Sequence, residues 1–502
     1  MAVAVPLSWM PPELTTQITT QDLHFVKKQG FNPYSGGFGS YSAPDPESVD
    51  LFTSVGEHAY LPYAYTVNLV RQGLLPTAVL KPIPRVPDRT CSQFFGFTGQ
   101  LFEVQQPMVN QAYAQLIQHG TTSLNVYTGA GKTVMVSYLL ACLSMLGQTS
   151  IIFLTSLTLI AQWKDTFDKF TNAVVWTVGE PFPNRPVNVI LCMNERFKNL
   201  SPDYTKSIGV VVYDEAHTFC TEKRVPCLLG ITPTFVIAAS ATMHRPDEMI
   251  GMMHAVVGEH KVYKISTKPF NVYKYNTGIE IPILTNAQGK PDWNKVLAAQ
   301  CDHEQRNQLI CDLAEQHRSD KILIMCKYVR HVKLLYNILK EKGWSVDHMS
   351  GTKKKYNDSQ ILIGTISKIG TGFDEKAACE DFNGFRINVL ILTCSIKSIG
   401  LLEQVAGRSF RSDFPQIYYL VDQNRIVENH WRGAIKWFKS RNGTIRHIDS
   451  PYASGRKVER SKQRNEQQQK HVVNDHLEQV RAQLGAATIS ITLPKLLPPT
   501  KK

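Results

Sequence analysis

Short, fully apolar runs recur along this chain with long intervals between them, and no other feature constrains the fold as strongly. Ser123 to Tyr127, Ser150 to Leu154, Val187 to Cys192, Ile208 to Tyr213 and Thr234 to Ala239 have strand length and are separated by helical patterns and loops. Strands that are apolar on both faces, with connections long enough to hold a helix, belong to parallel sheets covered on both sides. A second series follows in Lys321 to Cys326, Ser345 to Met349, Gln360 to Thr365, Ile387 to Thr393 and Gln416 to Val421. The chain is therefore predicted to be α/β, with two tandem lobes of similar architecture.

The stretch Tyr127-Thr128-Gly129-Ala130-Gly131-Lys132-Thr133 lies between the first of these runs and a helical pattern, Val134 to Leu146, that ends at a candidate C-cap, Gly147. A glycine-rich turn at that place lets backbone N–H groups approach phosphate oxygens, because no side-chain bulk blocks them. Lys132 adds a point charge, and Thr133 is a candidate ligand for Mg²⁺. The eight-residue phosphate-loop pattern begins with glycine, where this chain has Val126.

Two further groups complete the reading. Ile208 to Tyr213 runs directly into Asp214-Glu215-Ala216-His217, and ligands of open α/β sheets bind at the carboxyl ends of strands. Asp214 is predicted to hold Mg²⁺, and Glu215 to orient or deprotonate an attacking water. In the second lobe, Gln404-Val405-Ala406-Gly407-Arg408-Ser409-Phe410-Arg411 places two arginines three apart. On a helix they would share one face, with guanidinium groups suited to charge on a transferring phosphoryl group.

Length and charge agree with this reading. At 502 residues the chain exceeds the roughly 250 to 300 that one core organises. Hydrophobic residues are 43% and charged residues 19%, and no apolar run nears the roughly 20 residues of a membrane span. The balance 55 − 42 = +13 favours a polyanion such as nucleic acid, while no basic amphipathic N-terminal helix or lipidation signal indicates a membrane. The ten cysteines contain no Cys-x-x-Cys pair, which points to reduced core thiols in an intracellular, soluble protein.

The predicted division is 1–95, an N-terminal accessory domain; 96–258, the first lobe; 259–445, a loose interlobe connection (through about Asn294) and the second lobe; and 446–502, a basic tail. Gly30 to Ser42 reads as a loop, Tyr60 to Arg71 as a short apolar element and Leu80 to Pro87 as a boundary. Residues 1–95 either touch the substrate or cap the next lobe. The tail, with Arg456, Lys457, Arg460, Lys462, Arg464 and Lys470, is expected to be a nucleic-acid-binding arm, with an inert solubilising tail as the alternative, and Val472 to Leu484 fits a modest amphipathic helix.

Taken in order, these blocks resemble the superfamily-two helicases and translocases from about Phe95 to Lys439. Gly129 to Thr133 is similar to motif one, Leu154 to Trp163 to motif one-a, Asp214 to His217 to the DEAH form of motif two, and Ser240 to Thr242 to motif three. Ile363 to Asp374, with Gly372 and Asp374, is similar to motif five, and Gln404 to Arg411 to motif six. Gln162-Trp163, Ser240 to Asp247 and Gly370 to Asp374 look like the DNA-directed branch. That branch holds the XPB-type repair helicases, the phage branched-DNA helicase and the poxvirus-type transcript-release helicase. Motif six here begins Gln404-Val405, unlike the His-Arg of DEAD-box RNA helicases, and the compact length favours a large-DNA-virus member.

The resemblance implies two RecA-like lobes, ATP and Mg²⁺ as cofactors, and 3′ to 5′ movement along DNA, single-stranded or duplex and independent of sequence. It also implies a role in viral transcript release, with contacts to transcription machinery and, for a viral source, association with the virion. Recombination or repair, an RNA-dependent ATPase and a catalytically silent scaffold are the alternatives; a restriction motor ranks below them. Carried over by position, Thr128, Gly129, Ala130, Gly131, Lys132 and Thr133 would bind phosphate and metal, Asp214 the metal and Glu215 the water. Gln404, Arg408 and Arg411 would act from across the cleft, with Gly372 and Asp374 on the nucleotide side. Gln106, with Gln105 as its alternative, would read adenine. His217, Ser240 and Thr242 would couple hydrolysis to movement, and Thr155 and Thr365 would touch the strand. Tyr127, Thr128 and the basic loop Lys353 to Tyr356 depart from the usual pattern.

Overall fold

The computed structural model describes residues 2–27, 47–80, 94–145 and 149–453, apart from 242, 244, 246, 267, 288, 290, 370–372 and 374. Gly147, the loop Gly30 to Ser42, most of Leu80 to Pro87, and the tail with its expected helix lie outside the described residues.

Two seven-stranded parallel sheets form the body. The first runs Val262–Lys264, Thr121–Val126, Phe235–Ser240, Ile208–Asp214, Thr149–Leu154, Val189–Met193, Val175–Thr177. Its central strand is buried at every position, which is why it reads as an unbroken apolar run. Val210 and Val212 face a core with Leu139, Trp163 and Phe167, whereas Val211 and Tyr213 face Phe219, Met252 and Val256. That two-residue alternation is the pleat of one strand serving two layers.

The N-terminal residues cap this lobe. Ala2–Pro6 pairs antiparallel with His58–Pro62, the Ala2 N–H donates to the Ile231 carbonyl at 2.9 Å, and Val5, Leu61 and Leu69 join the core on the Tyr213 face. The described residues of 1–95 thus pack against the first lobe.

The second sheet runs Val346–Met349, Ile361–Thr365, Ile322–Cys326, Val389–Leu392, Gln416–Gln423, Phe270–Glu280, Gly443–Asp449. The expectation of a loose connection from 259 to 294 is corrected here. Val262–Lys264 completes the first sheet, Phe270–Glu280 is the longest strand of the second, and the chain crosses between lobes within 265–269. Polar residues hid the long strand. Lys274 pairs with Glu428 at 3.0 Å and Asn276 with Asp449 at 3.1 Å, so its polar side chains are matched by partners while Phe270, Val272 and Tyr275 are buried. Among the described residues no helix is long and apolar enough to cross a membrane.

Candidate active site

The glycine loop is held from behind. Gly131 has φ 80° and begins the helix Lys132–Ser144, whose apolar faces are buried on most sides. Gln105, 2% exposed, donates from Nε2 to the Ala130 carbonyl at 2.9 Å and accepts the Phe102 N–H at 2.9 Å. A Cβ at Gly131 would lie 2.3 Å from that Nε2, so glycine is required both for the left-handed backbone and for the close approach. Gln106, the expected adenine reader, does not share this contact. It opens the helix Gln106–His119, is exposed and bonds Asn110 at 3.0 Å, away from the loop. Lys132 donates to the Val126 carbonyl at 3.3 Å, so its ammonium lies along the loop it is expected to serve.

Asp214 ends its strand between Thr149–Leu154 and Phe235–Ser240. Its Oδ2 accepts the Trp163 indole N–H at 2.8 Å and its Oδ1 the Glu215 N–H at 3.0 Å. Burial, with the neighbouring Glu215 charge, pushes its carboxyl up to about 6, against the opposing pull of Trp163 and Lys132. Glu215 takes a left-handed φ of 51°, uncommon for a side-chain-bearing residue, and this turns its side chain off the strand. Its Oε2 is buried with no hydrogen-bond partner among the described residues, and His217 Nδ1 stands 3.7 Å away.

This oxygen-rich set suits a hard divalent cation. Each Asp214 oxygen carries one donor and retains acceptor capacity, and the bare Glu215 oxygen beside it can accept a proton.

His217 Nδ1 and Ser240 Oγ lie 2.8 Å apart. Burial, reinforced by Arg245, holds the imidazole down to about 4, so at neutral pH it is an uncharged hydrogen-bond partner. Arg245 donates to the His217 carbonyl at 2.9 Å and grips Asp247 at 2.9 and 2.6 Å. The predicted motif two and motif three residues His217 and Ser240 are thus in contact. Thr242, Gly372 and Asp374 lie outside the described residues.

From the other lobe, the arginine pair is placed differently from the helical expectation. The helix Ile399–Ala406 stops before Arg408, and Ser409–Arg411 is a 3₁₀ turn, so the two side chains separate. Arg408 is buried and donates to the Phe373 carbonyl at 2.6 Å, a bracing contact within its own lobe. Gln404 is also buried, on the helix. Arg411 instead lines a cleft of about 590 Å³ together with Thr128, Gly129, Lys268 and Phe410. The lobes touch beside it: a Cβ at Gly407 would fall 2.8 Å from the Thr128 Cβ. Glycine there lets motif six sit against the phosphate loop.

Thr155 follows the strand Thr149–Leu154 and is half-buried. Thr365 is 3% exposed and accepts from Ser367 at 3.3 Å, so its buried hydroxyl does not face a strand; Ser367 is exposed. Gln105 and Trp163 are the residues that sequence reasoning undervalued. A Trp on the apolar side of the helix Leu157–Phe170 needs a partner for its N–H, and the strand-end carboxylate was the available acceptor.

Residues 103–250 match the DEAD/DEAH box helicase family. The chain is 25% identical over 433 residues to 161L of Invertebrate iridescent virus 6, a protein named as a helicase, covering 80% of this chain and 92% of that one. It is 28% identical over 347 residues to 055L of Frog virus 3, also named as a helicase, covering 67% and 76%. A fragment of an HsdR subunit of a type I restriction enzyme from Vibrio vulnificus shares the fold, with a TM-score of 0.50 and 14% identity over 74% of this chain and 73% of that one.

Proposed function

We propose that this chain, whose residues 103–250 match the DEAD/DEAH box helicase family and which is similar to two iridovirus proteins named as helicases, is an ATP-driven motor of superfamily two moving 3′ to 5′ along DNA in viral transcription, at transcript release. The observation that carries the motor reading is the shared cleft, where Thr128 and Gly129 of one lobe face Arg411 of the other. In this reading Gly129 to Thr133 bind the ATP phosphates through backbone N–H groups, and the Lys132 ammonium neutralises their charge. Bound Mg²⁺, held by Thr133 and Asp214, would supply further charge neutralisation at the phosphate oxygens.

Glu215 accepts the proton of the attacking water through its bare Oε2. Arg411 reaches the γ-phosphate only when the lobes are closed, which makes hydrolysis depend on closure. Gln105 sets the position of the loop. His217 passes the state of the carboxylate pair to Ser240, and through it to the strand Phe235–Ser240. The excess of +13 supplies phosphate contacts that are indifferent to sequence and weaken with salt. The named likeness to iridovirus helicases supports the viral setting.

The test is ATP hydrolysis by the whole chain with single-stranded DNA, duplex DNA and RNA. DNA is expected to stimulate it, with Lys132→Ala silent. No stimulation by any nucleic acid, or unchanged turnover in Lys132→Ala, contradicts the motor; stimulation by RNA alone contradicts the DNA assignment.

A further inference from the structure

Trp163 is 1% exposed and sits on the helix Leu157–Phe170. Its ring stacks on Phe167, centroids 5.8 Å apart, and belongs to the core beneath the sheet. An indole packed in this way moves with its helix. The helix begins beside Thr155: Ser156 caps it, accepting the Leu159 N–H at 3.3 Å, and Leu157 at its first turn is 67% exposed. At 1.5 Å per residue, Trp163 is about 9 Å along the axis from that exposed end. Its N–H reaches Asp214 Oδ2 at 2.8 Å and is, among the described residues, the one side-chain hydrogen bond that carboxylate receives.

A packing role alone would be served by phenylalanine, which carries no buried donor to satisfy. The choice of an indole whose single polar atom meets the metal-side carboxylate calls for a second role. From this geometry we infer that Trp163 is a positioning residue: its N–H fixes the orientation of Asp214 and ties it to the helix that begins beside Thr155, the residue expected to touch the nucleic acid. The inference rests on the ATPase reading and deepens it. A shift of the helix start, when nucleic acid presses on 155–157, moves the indole and with it the carboxylate. Outer partners that orient a metal ligand are worth roughly ten- to a hundredfold in metal affinity or activity.

The experiment compares wild type, Trp163→Phe and Phe167→Leu in the full chain. Calorimetry measures binding of a non-hydrolysable ATP analogue against Mg²⁺ concentration, alongside ATP turnover with and without DNA and a melting curve. Trp163→Phe should raise the Mg²⁺ concentration for half-saturation about tenfold and cut the DNA stimulation by a similar factor. Phe167→Leu should lower the melting temperature and leave the Mg²⁺ dependence unchanged. A wild-type Mg²⁺ dependence in Trp163→Phe overturns the inference, as does the same Mg²⁺ shift in Phe167→Leu.

A second measurement needs no substitution. In wild type with ¹⁵N-labelled tryptophan, an indole N–H resonance should shift when Mg²⁺ joins the bound analogue, and no shift in any of them overturns the inference. Wild type that hydrolyses ATP beside an unaltered Trp163→Phe removes this inference alone. Wild type silent on every nucleic acid removes the motor reading and this inference with it.

Discussion

Asp214 and Asp422 stand at matching places, each buried at the carboxyl end of a parallel strand, one in each lobe. Their surroundings differ. Asp422 takes Arg306 Nε at 2.9 and 3.1 Å, Gln300 at 2.6 Å and Thr277 at 2.7 Å, and Arg306, with no exposed side-chain surface, also donates to the Thr393 carbonyl at 2.6 Å. Asp214 takes one indole and one backbone N–H. A buried carboxylate with a guanidinium and further donors is structurally satisfied. One left with spare acceptors, a carboxylate neighbour and a carboxyl raised to about 6 keeps its charge ready for something else. The difference in partners separates the locking carboxylate from the one proposed to hold metal better than burial does.

Exchanging each carboxylate for its amide tests whether the two differ in role. Asp214→Asn should lower DNA-stimulated hydrolysis by roughly a thousandfold, the equivalent of several kcal/mol of lost charge stabilisation. In metal-free protein at pH 7 it should leave the melting temperature unchanged or raise stability by up to about 3 kcal/mol, because a costly buried charge is gone. Asp422→Asn strands the Arg306 charge and should cost about 3 to 5 kcal/mol, read by urea unfolding. Destabilisation of the same size in both variants would erase the distinction.

Titration sharpens it. Burial lowers His217 to about 4, His331 to about 3 and His430 to about 4. Each stays neutral when folded and takes a proton near 6.5 when unfolded, so its contribution is complete above about 6.5 and is lost as the pH falls toward 4. Asp214 works in the opposite sense: raised from the ordinary 3.8 to about 6, it favours the fold increasingly as the pH falls through 6. The histidines outnumber it, so the melting temperature of metal-free protein should drop by roughly 5 °C or more between pH 7 and pH 5. Asp214→Asn should steepen that drop; a flat profile contradicts the assignment of these buried groups.

The smallest effect separates the two glutamines. Gln105→Ala removes both loop-bracing hydrogen bonds and should weaken nucleotide binding by roughly three- to tenfold. Gln106→Ala, at an exposed helix start, should leave binding within twofold of wild type. Equal losses would mean that loop bracing does not set affinity.

Much of this arrangement was readable from the residues because the central strands are buried on both faces. Ile208–Asp214 and Ile361–Thr365 could scarcely have read otherwise. Phe270–Glu280 escaped because Lys274 and Asn276 carry partners supplied by distant residues, Glu428 and Asp449, which no local pattern reveals. Arg408 and Arg411 were visible as a pair, but their separation depends on where the helix Ile399–Ala406 stops, a boundary that spacing does not set. Adjacent glutamines are equivalent in sequence until the start of Gln106–His119 assigns one to the loop and one to solvent. Trp163 is legible as a family mark, and its contact with Asp214 appears only when the helix is laid on the sheet.

In the proposed motor one ATP site is divided between the lobes, and Arg411 is the residue that can refute this division. In Arg411→Ala, affinity for a non-hydrolysable ATP analogue should stay within a few-fold of wild type while DNA-stimulated hydrolysis falls by roughly a thousandfold or more. Hydrolysis at the wild-type rate in that variant would contradict the account.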